Sequence, residues 1–70
     1  MKKIGELNTR AAWFVLYYDD SDKHGNRYKI YQKWYEHGWH KKKVEAYGDL
    51  WSCTIWVNEF VSKHNEETRG

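Results

Sequence analysis

The apolar positions of this chain change period along its length. From Ala11 to Tyr18 the run Ala-Ala-Trp-Phe-Val-Leu-Tyr-Tyr is rich in β-forming residues. It carries apolar groups on both faces and is too short for a typical helix, so it predicts a strand. Asp19 to Asn26 reads as a loop from its Asp, Ser, Gly and Asn content. Residues 27–36 then alternate. Tyr28, Ile30, Gln32 and Trp34 fall on one face, and Arg27, Lys29, Tyr31, Lys33 and Tyr35 on the other. Period two argues for a second strand. His37-Gly38 makes the turn, with Trp39 as a third loop residue. That loop would pair Glu36 with His40, Trp34 with Lys42 and Gln32 with Val44. The third strand, residues 40–47, then sets Val44 and Ala46 beside Ile30, and Lys41, Lys43, Glu45 and Tyr47 opposite.

After Gly48-Asp49 the pattern changes. With Asp49 as N-cap, Leu50 to His64 forms a helix with Leu50, Cys53, Val57, Phe60, Val61 and His64 along one face. Residues 50–57 are also β-formers, with Trp51, Cys53, Ile55 and Val57 alternating against Ser52, Thr54, Trp56 and Asn58. The helix is preferred because its face persists through Val61 to His64, whereas the alternation stops near Asn58. Residues 1–10 are polar with isolated Ile4 and Leu7 and read as a loose lead-in, and residues 65–70 as a fraying tail. The expected fold class is α+β: one small domain over 1–70, a three-stranded antiparallel meander sheet packed by one C-terminal helix. An all-β four-stranded meander is the alternative.

Composition narrows this further. There are 5 Trp, 6 Tyr and 2 Phe, and a single cysteine that can close no intrachain disulfide. The interior must therefore be built from rings, each able to bury roughly 150–250 Å². Ala11 to Tyr18 is the longest apolar run and falls short of the ~20 residues that span a membrane. Met1-Lys2-Lys3-Ile4-Gly5-Glu6 has no pattern of a secretory signal. With a lone Cys53, the expected location is the cytoplasm.

The net charge is only +2, but it is unevenly placed. Lys23, Arg27, Lys29, Lys33, Lys41, Lys42 and Lys43 are opposed in the middle of the chain by Glu36 alone. Acid gathers at Asp19, Asp20 and Asp22, and again at Glu59, Glu66 and Glu67. On the predicted sheet, Arg27, Lys29, Tyr31, Lys33, Tyr35, Lys41, Lys43 and Tyr47 share the side away from the helix. Trp13, Val15 and Tyr17 extend it. Cations there would neutralise phosphates, and rings would offer stacking platforms to unpaired bases. An ordinary solvated sheet face has the same composition. The order strand, strand, strand, helix resembles the plant AP2-type and integrase arm-binding domains, which lay a three-stranded sheet in the DNA major groove. That resemblance is one of architecture, and it carries over no residue.

On the far side of the helix, Trp51 and Ile55 point away from the core, with Trp56 at the flank. They suit a partner surface, unless the N-terminal decapeptide folds back over them. Three other constellations are weaker. Asp20-Ser21-Asp22-Lys23-His24-Gly25 matches the opening of a calcium loop, but position 5 is His24 and position 12 falls on Tyr31. His37, His40, Cys53 and His64 match no zinc spacing. Cys53 with a histidine would be a nucleophile–base pair, but Cys53 lies on the buried helical face. No cofactor or metal is expected, and the chain reads as no enzyme. The expectation is a small binding module that contacts nucleic acid through Arg27, Lys29, Tyr31, Lys33, Tyr35, Lys41 and Lys43. The alternative is a protein-interaction module, an adaptor or inhibitor of a larger protein, using exposed rings such as Trp51 with Ile55. The same apolar side would also serve a homodimer.

Overall fold

A computed structural model describes the backbone of residues 1–69 and the side chains of residues 1–63. Four strands, β1 (Lys2–Asn8), β2 (Trp13–Tyr18), β3 (Tyr28–Tyr35) and β4 (Trp39–Tyr47), precede one helix, α1 (Leu50–Arg69). The strands form one antiparallel sheet in the order β1-β2-β3-β4. The helix packs across one face. The fold is therefore α+β as expected, and residues 50–57 are helical rather than a strand. Among the described residues no helix is long and apolar enough to cross a membrane.

The sheet has four strands, not three, because the presumed lead-in is the edge strand β1. Its register against β2 shifts between Lys3 and Gly5, so Ile4 is an extra, bulged residue. The bulge breaks the alternation that would have marked a strand. The β1–β2 turn also lacks the usual Gly or Pro. Thr9 closes it instead: its N–H and its Oγ1 both donate to the Ala12 carbonyl, at 2.8 and 2.7 Å. The Ala12 N–H donates back to Thr9 Oγ1 at 2.9 Å.

The β3–β4 hairpin turns one residue earlier than expected, around a loop of the same length. Tyr35 pairs with Trp39 around Glu36-His37-Gly38, so Trp39 belongs to the strand and not to the loop. His37 (φ 57°) and Gly38 (φ 130°) turn the chain through left-handed conformations. The register moves by two residues from the expected one, which leaves every side chain near the turn on its expected face. A second bulge then changes the phase. Tyr31 pairs with Lys43 but Ile30 pairs with Glu45, leaving Val44 extra. Beyond it Tyr47 pairs with Tyr28, and Ala46 with Lys29. Tyr47, expected on the basic face, thus packs against the core, and Ala46 takes the opposite face.

The core lies between helix and sheet. Ile30, Phe14 and Cys53 are fully buried, and Leu16, Tyr28, Val44, Tyr47, Trp56, Val57 and Phe60 pack against them. The Phe14 ring meets Phe60 edge-on at 4.7 Å and Trp56 at 5.5 Å. Trp56 and Phe60, one helical turn apart, stack at 5.6 Å. Trp56 therefore belongs to the buried stripe of the helix, while Leu50, expected there, is exposed. His64 and the expected tail lie outside the described side chains. Asp49 caps the helix as expected, its Oδ1 accepting the Ser52 N–H at 2.8 Å.

Candidate nucleic-acid interface

With one helix on one face, the other face of the sheet is bare. The molecule measures 42 × 32 × 16 Å, a plate two layers thick. The strand pairing places side chains in rows across the bare face. Asn8, Trp13, Lys33 and Lys41 form one row, Glu6, Val15, Tyr31 and Lys43 the next, and Lys3, Tyr17, Lys29 and Ala46 the third. Tyr35 and Trp39 close the end at the hairpin.

Rings dominate the hairpin end. Trp13 lies 5.4 Å from Trp39, and Trp39 lies 5.5 Å from Tyr35, making a continuous row of three. Tyr35 is 66% exposed and Trp39 60%. Lysines lie on the rings. Lys33 Nζ sits 5.1 Å from the Trp39 centroid. Lys41 Nζ sits 4.6 Å from Tyr17 and 5.4 Å from Tyr31, and donates to the Tyr17 hydroxyl at 3.2 Å. Such contacts hold an ammonium near a ring while leaving its charge unneutralised. Tyr17 and Tyr31 meet edge-on at 5.3 Å. A shallow groove of about 370 Å³ runs between these groups. Val15 lies among its lining residues with Trp39, Lys33, Lys41 and Lys3, and is itself buried.

The charges of the face separate into two ends. At the β2–β3 loop, Lys29 Nζ lies 2.7 Å from Asp19 Oδ2 and 3.1 Å from Asp22 Oδ2, with its side chain only 11% exposed. Hydrogen bonds from Lys29, then from Ser21, hold the Asp19 carboxyl far below the usual carboxylate range. Lys29 and the His24 N–H lower Asp22 in the same way. Asp19 and then Asp22 raise Lys29 in return. The triad carries one net negative charge, so Lys29 has no charge to offer a phosphate. Arg27 is exposed but stands at this acidic end, just before β3, with its carbonyl accepting the Asp19 N–H at 2.7 Å. In the middle row Glu6 accepts from Lys3 at 3.0 Å and from Lys33, and these two contacts, Lys33 foremost, lower its carboxyl. Lys41 and Lys43 make no ion pair among the described residues.

Of the residues expected to form the interface, the structure brings Lys33, Tyr35, Lys41 and Lys43 onto one accessible surface. Tyr31 is there but half-buried, its hydroxyl 3.9 Å from Met1 Sδ. Trp39 was missed, although it alternates in phase with Lys41 and Lys43 and the pattern needed only one more residue backward. Glu6 was missed because its strand was. On the opposite face of the same hairpin Trp34 stacks on His40 at 5.4 Å. Arg10 of the β1–β2 turn lines a neighbouring hollow with Trp13, Trp34 and Tyr35.

Trp51 is 72% exposed, with Leu50 and Ile55 exposed beside it. The N-terminal segment is committed to the sheet and does not cover them. The Cys53 thiol is buried, donates to the Tyr28 carbonyl at 3.7 Å, and is pushed up by desolvation, so it is not poised as a nucleophile. The calcium-like loop is held by its own bonds, Asp22 accepting the His24 N–H at 2.8 Å and binding Lys29. No group of three or more His, Cys, Asp or Glu among the described residues is placed to hold a metal ion. Compared with protein-family models, with curated proteins and with solved structures, the chain shows no match.

Proposed function

We propose that this chain is a non-enzymatic binding module that takes a single nucleic-acid strand across its bare sheet face. The observation that carries the reading is the exposed ring row Tyr35–Trp39–Trp13, flanked by Lys33 and Lys41. Exposed rings stack unpaired bases at about 1–3 kcal/mol per base, with little choice of sequence. Duplex bases keep their faces covered, so the rings favour a single strand. Lys41 and Lys43, which make no ion pair among the described residues, would neutralise phosphates, and phosphate contacts position a strand more than they specify it.

The test is a titration of labelled single-stranded and duplex oligonucleotides at several salt concentrations. The expected outcome is a single-strand preference, tryptophan quenching, and a log–log salt slope of about −0.7 per phosphate contacted. Failure to bind even at low salt would overturn the reading.

A second reading belongs to the other side of the molecule. Leu50, Trp51 and Ile55 are exposed on the outside of the helix, and large rings dominate binding hot spots in protein interfaces. Here the module would dock on another protein. Loss of partner capture in Trp51→Ala, with the fold intact and oligonucleotide binding absent, would favour it.

A further inference from the structure

We infer that the Glu6 carboxylate occupies the place of a strand phosphate on the bare face and is displaced when a strand binds. The inference rests on the nucleic-acid reading above and names how that site is regulated. Glu6 gathers cations from two different strands, Lys3 of its own β1 and Lys33 of β3, onto one carboxylate. A carboxylate and a phosphodiester share a single negative charge and two accepting oxygens, so one can stand in for the other at the same pair of ammoniums.

The surroundings favour exchange. Glu6 is 30% exposed and Lys33 25%, so the pair is open to solvent and weakly held, as exposed ion pairs are. The groove beside it is lined by Lys3, Lys33 and Lys41, three cations against the one carboxylate. Lys33 also lies over Trp39. A phosphate taken up by Lys33 would therefore adjoin a base stacked on the most accessible tryptophan of the face. While Glu6 is in place, Lys33 contributes little to strand binding.

The experiment compares the wild type with Glu6→Gln and with the double variant Glu6→Gln/Lys33→Gln. The probe is a fluorescein-labelled oligothymidine, titrated from low salt to about 0.2 M salt, the range over which phosphate contacts are lost. Thermal melts check that each variant is folded. Because Lys33 reaches the phosphate in both proteins, Glu6→Gln should leave the single-strand salt slope nearly unchanged and tighten binding up to about fivefold, the worth of the exposed ion pair that no longer has to be broken. The double variant should lose that gain. Binding by Glu6→Gln at about 0.2 M salt, where the wild type binds only at lower salt, would support displacement in its strongest form. If the wild type binds and Glu6→Gln binds equally or more weakly, the inference fails while the nucleic-acid reading stands. A gain that survives in the double variant also overturns it, since the effect would then be a general change of net charge. If none of the three proteins binds at low salt, the reading and the inference fall together.

Discussion

Lys29 and Lys41 show how two lysines of the same sheet face come to different roles. Lys29 stands between two carboxylates and is mostly buried, so it secures the β2–β3 loop. Lys41 lies over rings and keeps its charge. Substituting Lys41 or Lys43 by Ala should flatten the salt slope of single-strand binding by about 0.7 each. Lys29→Ala should leave the slope unchanged and lower the melting temperature, because Asp19 and Asp22 then face each other without their cation. The same triad predicts acid lability. Asp19 and Asp22 titrate lower in the folded than in the unfolded chain. Their contribution is complete above the ordinary aspartate range near about 4 and is lost as pH falls below it. Melting temperature measured from neutral to acid pH should fall in that window for the wild type, and less steeply for Asp19→Asn.

Among the elements, the β3–β4 hairpin carries most of the ring row, and its turn sets the register. Gly38 sits at φ 130°, where a side chain is strained. Gly38→Ala should cost about 1–2 kcal/mol, read by denaturant unfolding. The helix depends on its cap and on the Phe14 contacts. Asp49→Ala should cost about 1 kcal/mol through loss of the Ser52 bond. Phe14→Ala should cost about 3–5 kcal/mol by opening a cavity beneath Phe60 and Trp56. That is a large share of the total for a small domain, so calorimetry should show this variant largely unfolded.

For the whole molecule, the two-layer plate leaves two surfaces without cover, the sheet face and the outer ridge of the helix. They are chemically distinct, one basic and ringed, the other apolar around Trp51. Trp51→Ala should therefore change stability by no more than about 0.5 kcal/mol. A large destabilisation would show that the ridge is packed in solution. Charge is also polarised along the plate, from the Asp19–Asp22 loop to the hairpin lysines, so a bound strand should lie toward the hairpin end. Oligonucleotide cross-linking should accordingly map to Trp39 and Tyr35 rather than to Arg27.

The sequence by itself determined much of this. Alternation in residues 27–36 set the faces of β3, and the helical spacing of Cys53, Val57 and Phe60 set the buried stripe of α1, because both patterns follow from local backbone geometry. Tertiary structure decided the rest. The edge strand β1 exists only through pairing with β2, and its bulge at Ile4 hid it from any periodic test. The bulge at Val44 reversed Tyr47 and Ala46, since one extra residue exchanges the faces of all that follow. Which lysines remain free was decided by residues distant in the chain: Glu6 reaches Lys33, and Asp19 reaches Lys29. Charge pairing between strands depends on register, and register is a property of the assembled sheet.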